Sequence, residues 1–168
     1  MPRTLTVSDS IVVNTDPATM YAHISDPTRM GNWSPENTGA TVLDGGGDTH
    51  VGMTFEGHNK RGGFGWTTRC VVTAADPGER FAFEVRAIGV KKPRLTAPIA
   101  TWEYRFEQVE GGTEVTETWT DDRRSWPDLA ANIFDKIVTR GKVFADFQRK
   151  NIEITLRNLK REMEKPSA

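Results

Sequence analysis

The chain has 168 residues, of which 36% are hydrophobic and 27% are charged, and its formal net charge at pH 7 is -1. These values are typical of one globular domain spanning residues 1–168, and they exclude a disordered or fibrous chain. With 22 basic and 23 acidic residues, the sequence shows no electrostatic signature of a nucleic acid or an anionic membrane as partner.

The N-terminal segment predicts one strand followed by two short helices. Residues 5–13 alternate between apolar and polar side chains and are rich in β-branched residues, as strands are. Asp9 falls in the apolar row, so either the strand carries a bulge there or an acid points inward. Thr15 or Asp16 can cap a short helix, and a second helical turn is expected within 28–36. The buried side of the first helix would comprise Met20, Tyr21 and Ile24.

The middle of the chain predicts strands joined by short turns. The expected strands are 41–43, 51–59, 64–74, 80–87 and the two arms of a hairpin within 101–122. The glycine-rich stretch 44–48 is interpreted as a turn and 91–98 as a loop. With the first strand this makes seven strands, and the hairpin-length connections predict an antiparallel sheet.

The last third changes to a helical period. Its apolar residues recur at steps of three to five, which predicts one long amphipathic helix that could kink at Gly141 and that ends before Pro166. The apolar stripe comprises Leu129, Ile133, Ile137, Phe144, Phe147, Ile152, Leu156, Leu159 and Met163.

The predicted sheet is much wider than the predicted helix. A helix with its side chains is roughly 10 Å across, whereas seven strands at roughly 4.8 Å spacing span about three times that width. A sheet that buries its apolar face must therefore curve around the helix. We expect this arrangement to leave a cavity for a small hydrophobic ligand between sheet and helix.

Two stretches and the element order resemble a known superfamily. SDPTRMGNWSPE at 25–36 and WTTRCVVTAADPGERFAFEV at 66–85 are similar to the START-related, Bet v 1-like helix-grip superfamily, also called SRPBCC. Within it, the chain resembles the bacterial polyketide cyclase/dehydrase and lipid-transport branch. The resemblance implies an α+β helix-grip fold with a deep hydrophobic cavity. It implies either carriage of a lipid-like or aromatic molecule or cyclisation and dehydration of a polyketide, because fold alone does not decide function.

One carboxylate interrupts the apolar row of the last strand, where Val115, Glu117 and Trp119 share a face. If the hairpin turns at residues 110–111, Glu117 lies opposite Tyr104. A turn one residue later would bring Phe106 opposite Glu117 without changing its face.

Glu117 is the candidate catalytic residue, and it carries two interpretations. Burial of an ionised carboxylate costs several kcal/mol unless it is paired or hydrogen-bonded. Glu117 could anchor a ligand hydroxyl or accept a proton, with Tyr104 or Asp9 assisting. It could instead be a structural partner of the Tyr104 hydroxyl or of an arginine from a loop.

The other predicted ligand-binding residues come from the inward strand rows and from the helix. Three tryptophans would form a flat apolar wall suited to an aromatic ligand, although core packing is an equally good interpretation. The predicted set is Met53, Phe55, Trp66, Thr68, Phe83, Trp102, Tyr104, Glu117, Trp119, Phe134, Ile137 and Phe144.

Several site classes find no support in the sequence. The three histidines have no metal-ligand spacing, no cofactor motif is present, and Cys70 has no neighbour that would activate it. No apolar run is long enough for a membrane span or a secretion signal, so a cytoplasmic location is expected. No large exposed apolar surface is evident, which disfavours a protein-interaction module.

Overall fold

The structure, a computed structural model, describes residues 3–43 and 47–165. Part of the predicted turn at 44–48, residues 44–46, and Pro166 lie outside the described residues. The strands are β1 (Thr6–Val13), β2 (Asn37–Val42), β3 (Thr54–Arg61), β4 (Phe64–Asp76), β5 (Arg80–Gly89), β6 (Leu95–Val109) and β7 (Gly112–Asp121). The helices are α1 (Pro17–Ile24), a 3₁₀ helix (Pro27–Asn32), α2 (Asp128–Thr139) and α3 (Phe144–Met163).

The seven strands form one antiparallel sheet in the order β1-β7-β6-β5-β4-β3-β2. The pairing of β4 with β5 shifts register twice and that of β5 with β6 once, and such bulges bend a strand. The α+β helix-grip class is confirmed. β6 begins at Leu95, so the predicted loop at 91–98 is partly strand, because Leu95 and Thr96 pair with the end of β5.

The β6–β7 hairpin has the first of the two registers that the sequence allowed. Val109 pairs with Gly112, and Tyr104 therefore lies directly opposite Glu117. Gly112 is required by close approach, because a Cβ atom there would lie 2.0 Å from the carbonyl oxygen of Val13.

α1 begins as the sequence predicts, whereas the second helical turn, expected within 28–36, begins one residue earlier at Pro27. The Asp16 carboxylate accepts a hydrogen bond from the Thr19 amide at 2.9 Å, which caps α1, and Pro17 occupies its first turn. Asp26 caps the 3₁₀ helix in the same way through the Thr28 amide. The predicted buried side of α1 is confirmed as Met20, Tyr21 and Ile24.

The predicted single C-terminal helix is divided into two. Arg140 adopts a left-handed conformation with φ of 60°, Gly141 follows with φ of 114°, and α3 starts at Phe144. The α2 part of the predicted stripe is wrong, because Leu129, Ile133 and Ile137 are exposed. The buried side of α2 is instead formed by Ala131, Asp135 and Thr139.

The core lies on one face of the sheet and is covered by α1 and α3. α3 contributes Ile152, Leu156 and Leu159, all fully buried. The largest side chains packed with them are Trp33, Trp119, Phe55, Phe81 and Met20. α3 is therefore the helix that the sheet grips.

Candidate functional site

A buried tyrosine–glutamate pair lies within the core. Because Tyr104 and Glu117 are direct partners across β6 and β7, their side chains leave the sheet on the same face. The Tyr104 hydroxyl donates to Glu117 Oε1 at 2.8 Å. Glu117 is only 2% exposed, and its second oxygen, Oε2, has no hydrogen-bond partner among the described residues.

Burial controls the protonation of this pair. Desolvation raises the pKa of Glu117 to about 8; the Tyr104 hydrogen bond acts in the opposite direction and the charge of Asp9 adds to the rise. Burial, followed by the Glu117 charge, raises the pKa of Tyr104 well above its usual value. Near neutral pH, Glu117 is therefore mostly a neutral carboxylic acid that can donate a hydrogen bond.

The surroundings of the pair are aromatic. The Phe81 ring stacks on Tyr104 with centroids 6.5 Å apart, and Phe81 contacts Phe83 at 5.8 Å. Phe83 in turn meets the edge of Phe55 at 5.3 Å. The pair therefore lies at one end of a continuous row of rings.

The structure brings most of the predicted ligand-binding residues together. Five of them belong to the buried core with Glu117, and two more are partly buried and pack against it. The five are Met53, Phe55, Phe83, Tyr104 and Trp119, and the two are Trp102 and Phe144.

The remaining predicted residues lie apart from Glu117 or at the margin of the core. Half-buried Thr68 accepts a weak hydrogen bond from the Cys70 thiol at 3.7 Å. Trp66 stacks with Phe64 near the β3–β4 turn. Phe134, also half-buried, contacts the rings of Trp126 and Phe144. Ile137 is 72% exposed, since polar residues occupy the buried side of α2.

Asp9 is next to Glu117 in the sheet, but its side chain is not buried in the core. It is the direct β1 partner of Glu117, and the β1–β7 pairing runs without a register shift, so no bulge occurs there. The Asp9 side chain is nevertheless exposed, because β1 is an edge strand, and it accepts a bond from the Ser10 amide at 2.8 Å. Its role is electrostatic, through the pKa of Glu117.

A second buried polar cluster was missed in the sequence. Arg123 is fully buried, donates to both oxygens of Asp121 at 2.9 and 2.8 Å, and donates to Asp135 Oδ1 at 2.8 Å. Burial lowers the pKa of Arg123, but Asp121 and Asp135 outweigh that effect and raise it. A signal was present, because Asp121 continues the inward row of β7 after Trp119.

This cluster joins β7 to both C-terminal helices. Asp135 Oδ2 accepts from the Phe144 amide at 3.0 Å, so a residue of α2 caps the start of α3. The guanidinium of Arg123 also lies 4.6 Å from the centre of the Phe144 ring. Because every charged group in the cluster faces an opposite charge, its role is to hold the helices in place.

Other features of the described residues place no further chemistry at the pair. An open depression of about 550 Å³ is lined by residues of β5, β6 and the segment after β7, none of which is Tyr104 or Glu117. No cluster of three His, Cys, Asp or Glu residues suited to a metal ion occurs in the described ranges. Burial raises the pKa of Cys70 to about 12, so its thiol stays protonated at neutral pH. Within residues 3–43 and 47–165, no helix is both long and apolar enough to cross a membrane.

The sequence matches one family model over nearly its whole length. The model described as polyketide cyclase / dehydrase and lipid transport matches residues 4–164. No curated protein sequence matches the chain.

Solved structures share the fold. A polyketide cyclase-like protein from Corynebacterium glutamicum is 30% identical, with 98% of this chain and 94% of that chain covered and a TM-score of 0.61. A START superfamily protein from Mycobacterium smegmatis is 11% identical, with 96% and 98% covered and a TM-score of 0.68. The di-domain ARO/CYC protein StfQ of the steffimycin biosynthetic pathway is 17% identical, with 95% and 50% covered and a TM-score of 0.66.

Proposed function

Because the chain belongs to the polyketide cyclase/dehydrase and lipid transport family, we propose that it binds a small hydrophobic molecule between the sheet and α3. The ligand is lipid-like or aromatic and carries at least one oxygen. The cavity that would hold it stays a prediction, as do the cytoplasmic location and the absence of a nucleic-acid partner. The family match over residues 4–164 supports a single ligand-binding domain.

The unpaired oxygen of Glu117 carries this proposal. A buried polar atom without a hydrogen-bond partner costs about 1–3 kcal/mol of folding free energy. Such an atom in a native core therefore calls for a functional or structural explanation. With Tyr104 donating to Oε1, the protonated Oε2 is free to donate to a carbonyl, hydroxyl or ether oxygen of a ligand.

The ring row beside the pair supports a flat or chain-like ligand. Apolar walls with a few polar groups are typical of small-molecule sites, in which the polar groups fix orientation. The family description, polyketide cyclase / dehydrase and lipid transport, is in keeping with either an aromatic or a lipid-like ligand.

A matched pair of probes tests the role of Glu117. Anthraquinone offers carbonyl oxygens and anthracene does not, and both quench tryptophan fluorescence when they bind nearby. We expect wild type to prefer anthraquinone by about tenfold, the equivalent of one added hydrogen bond. Glu117→Leu should abolish the preference, whereas Glu117→Gln should keep part of it because the amide still donates.

Two outcomes of the probe experiment would contradict the proposal. Equal affinity of wild type for the two probes, or an unchanged preference in Glu117→Leu, would remove Glu117 as the anchor. Glu107→Gln, an exposed change on the neighbouring strand, serves as the control and should bind as wild type does.

A second candidate function, cyclase/dehydrase-type catalysis, is favoured by the Glu117 pKa of about 8. A carboxyl group that titrates near neutral pH can give and take protons from a bound chain. In that case Glu117→Gln should lose conversion of a polyketide mimic while still binding it. If Glu117 acts as the acid, the wild-type rate should fall as pH rises through about 8. Conversion by Glu117→Gln at the wild-type rate would exclude the catalytic role.

A further inference from the structure

α2 presents its apolar stripe to solvent and its polar side to the protein. Leu129 and Ile137 are each 72% exposed, and Ile133 between them is 52% exposed. The spacing i, i+4, i+8 places these three on one helix face. A surface helix of a globular protein normally has the reverse arrangement.

Buried hydrogen bonds fix this orientation of α2. On its inner side, Asp135 accepts hydrogen bonds from the Arg123 guanidinium and from the Phe144 amide. Thr139 accepts from the Lys142 amide and donates to the carbonyl of Asp135. Turning the stripe inward would break a buried ion pair, which is strongly unfavourable. The exposed stripe is therefore a stable surface.

Other exposed apolar side chains lie near α2, at the end of the sheet from which β7 leads into this helix. The β3–β4 turn, the β5–β6 loop and the segment leaving β7 lie at one end, because antiparallel neighbours alternate in direction. We name residues 60–66, 89–95 and 123–142 the α2 end. It contains seven of the ten large apolar residues found exposed in the described chain, namely Phe64, Val90, Leu95, Leu129, Ile133, Ile137 and Val138.

The α2 end is also strongly basic. Its one exposed acid is Asp128, which pairs with Arg3 at 3.5 Å. Its exposed cations are Lys60, Lys91, Lys92, Arg94, Arg124, Lys136, Arg140 and Lys142. Because the whole chain has a net charge of -1, the rest of the molecule is acidic. A second copy docked through this end would bring like charges together, which disfavours a dimer here.

We propose that the α2 end docks reversibly onto an anionic lipid surface. The apolar side chains belong to a helix face and two loops at one end of the sheet, an arrangement that suits a broad interface, and the cations suit lipid phosphates. The apolar side chains would enter the headgroup region while the lysines and arginines contact the phosphates. The inference stands independently of what the Tyr104–Glu117 pair binds.

Flotation with vesicles tests the proposal. We expect the protein to float with vesicles of phosphatidylcholine and phosphatidylglycerol, much less with phosphatidylcholine alone, and less again as salt rises. Ile133→Asp/Ile137→Asp should weaken binding about tenfold or more, because two apolar contacts become acids. Lys91→Glu/Lys92→Glu should also weaken vesicle binding by about 25-fold or more, because each of the two cations lost contributes about fivefold.

Val51→Asp is the matched control, because Val51 is 63% exposed but lies in the β2–β3 connection, at the opposite end of the sheet. It should bind vesicles as wild type does. All substituted residues are exposed, and a thermal melt would verify that each variant is folded. Failure of the folded wild type to float with anionic vesicles, or an equal loss in Val51→Asp, would overturn the proposal. Binding to an immobilised acidic protein without any vesicle binding would overturn it in favour of a protein partner.

Discussion

At the scale of single residues, Glu117 shows how a core can keep a carboxyl group. An ionised carboxylate in this position would need charge partners, and Tyr104 supplies only one hydrogen bond. The neutral form is much less costly to bury, which is why the pKa rises to about 8. The residue therefore remains in the core as an acid with one free oxygen, a state suited to binding and to proton transfer.

The raised pKa of Glu117 predicts a specific loss of stability as pH rises from about 4.5 to about 8. A carboxyl whose pKa is higher in the folded state than its ordinary 4.5 stabilises the fold at low pH and loses that contribution as pH rises through about 8. Wild type should therefore lose roughly 4 kcal/mol of unfolding free energy from this group between pH 5 and pH 9. Glu117→Gln, which does not titrate, should lack this loss.

Urea denaturation at several pH values measures this difference. The exposed Glu107→Gln should keep the wild-type pH profile. Parallel profiles for wild type and Glu117→Gln would show that Glu117 is already ionised in the folded state at neutral pH.

At the scale of secondary structure, the break between α2 and α3 determines where both helices point. Gly141 and the left-handed Arg140 end α2, and Asp135 connects that helix to the start of α3. Arg61 adds a bond from its guanidinium to the carbonyl of Val138 at 2.7 Å, which ties α2 to the β3–β4 hairpin. A helical period alone does not reveal such a break, because the period continues on both sides of it.

Asp135 should therefore be a strong determinant of stability. Asp135→Asn leaves the Arg123 charge without its partner on α2, and breaking a buried pair costs about 3–5 kcal/mol. The matched control is Asp146→Asn, because Asp146 makes an exposed ion pair with Arg149. This substitution should change the free energy of unfolding by less than about 1 kcal/mol. Equal effects of the two substitutions in urea denaturation would contradict the structural role of the cluster.

At the scale of the whole molecule, charge is distributed unevenly. The sequence has nearly equal numbers of acids and bases, and this balance predicts no attraction to anionic surfaces. Folding brings cations from three separate segments together at the α2 end. The α2 end is therefore basic and the rest of the molecule acidic, although the total charge is close to zero. The exposed apolar surface that the sequence did not reveal lies at the same end.

This asymmetry predicts the behaviour of the protein on an ion exchanger. At pH 7.5 and low salt the protein should be retained by a cation-exchange resin, although its sequence pI is about 6.3. Lys91→Glu/Lys92→Glu should elute at clearly lower salt than Lys150→Glu/Arg161→Glu, a pair on α3 with the same change in net charge. Identical elution of the two double variants would show that the cations do not act as a local patch.

Several features can be predicted from sequence alone: the strand pattern, a cap at Thr15 or Asp16 for α1, two possible hairpin registers, and the inward direction of Glu117, which is the same in both registers. These features depend on short-range periodicity, turn residues and caps, which act between near neighbours in the chain. Family resemblance was readable for the same reason, because it depends on local motifs in their order.

Three features depend on contacts between distant parts of the chain: which face of α2 is buried, the exposure of Asp9, and the set of residues that meet in the cluster around Arg123. Leu129, Ile133 and Ile137 have the pattern of a buried stripe, but Asp135 gains an ion pair and a helix cap by facing inward, and its partners are 9 and 12 residues away. The physical reason is that a buried charge must find its partner in space, and that requirement overrides the apolar period of a short helix.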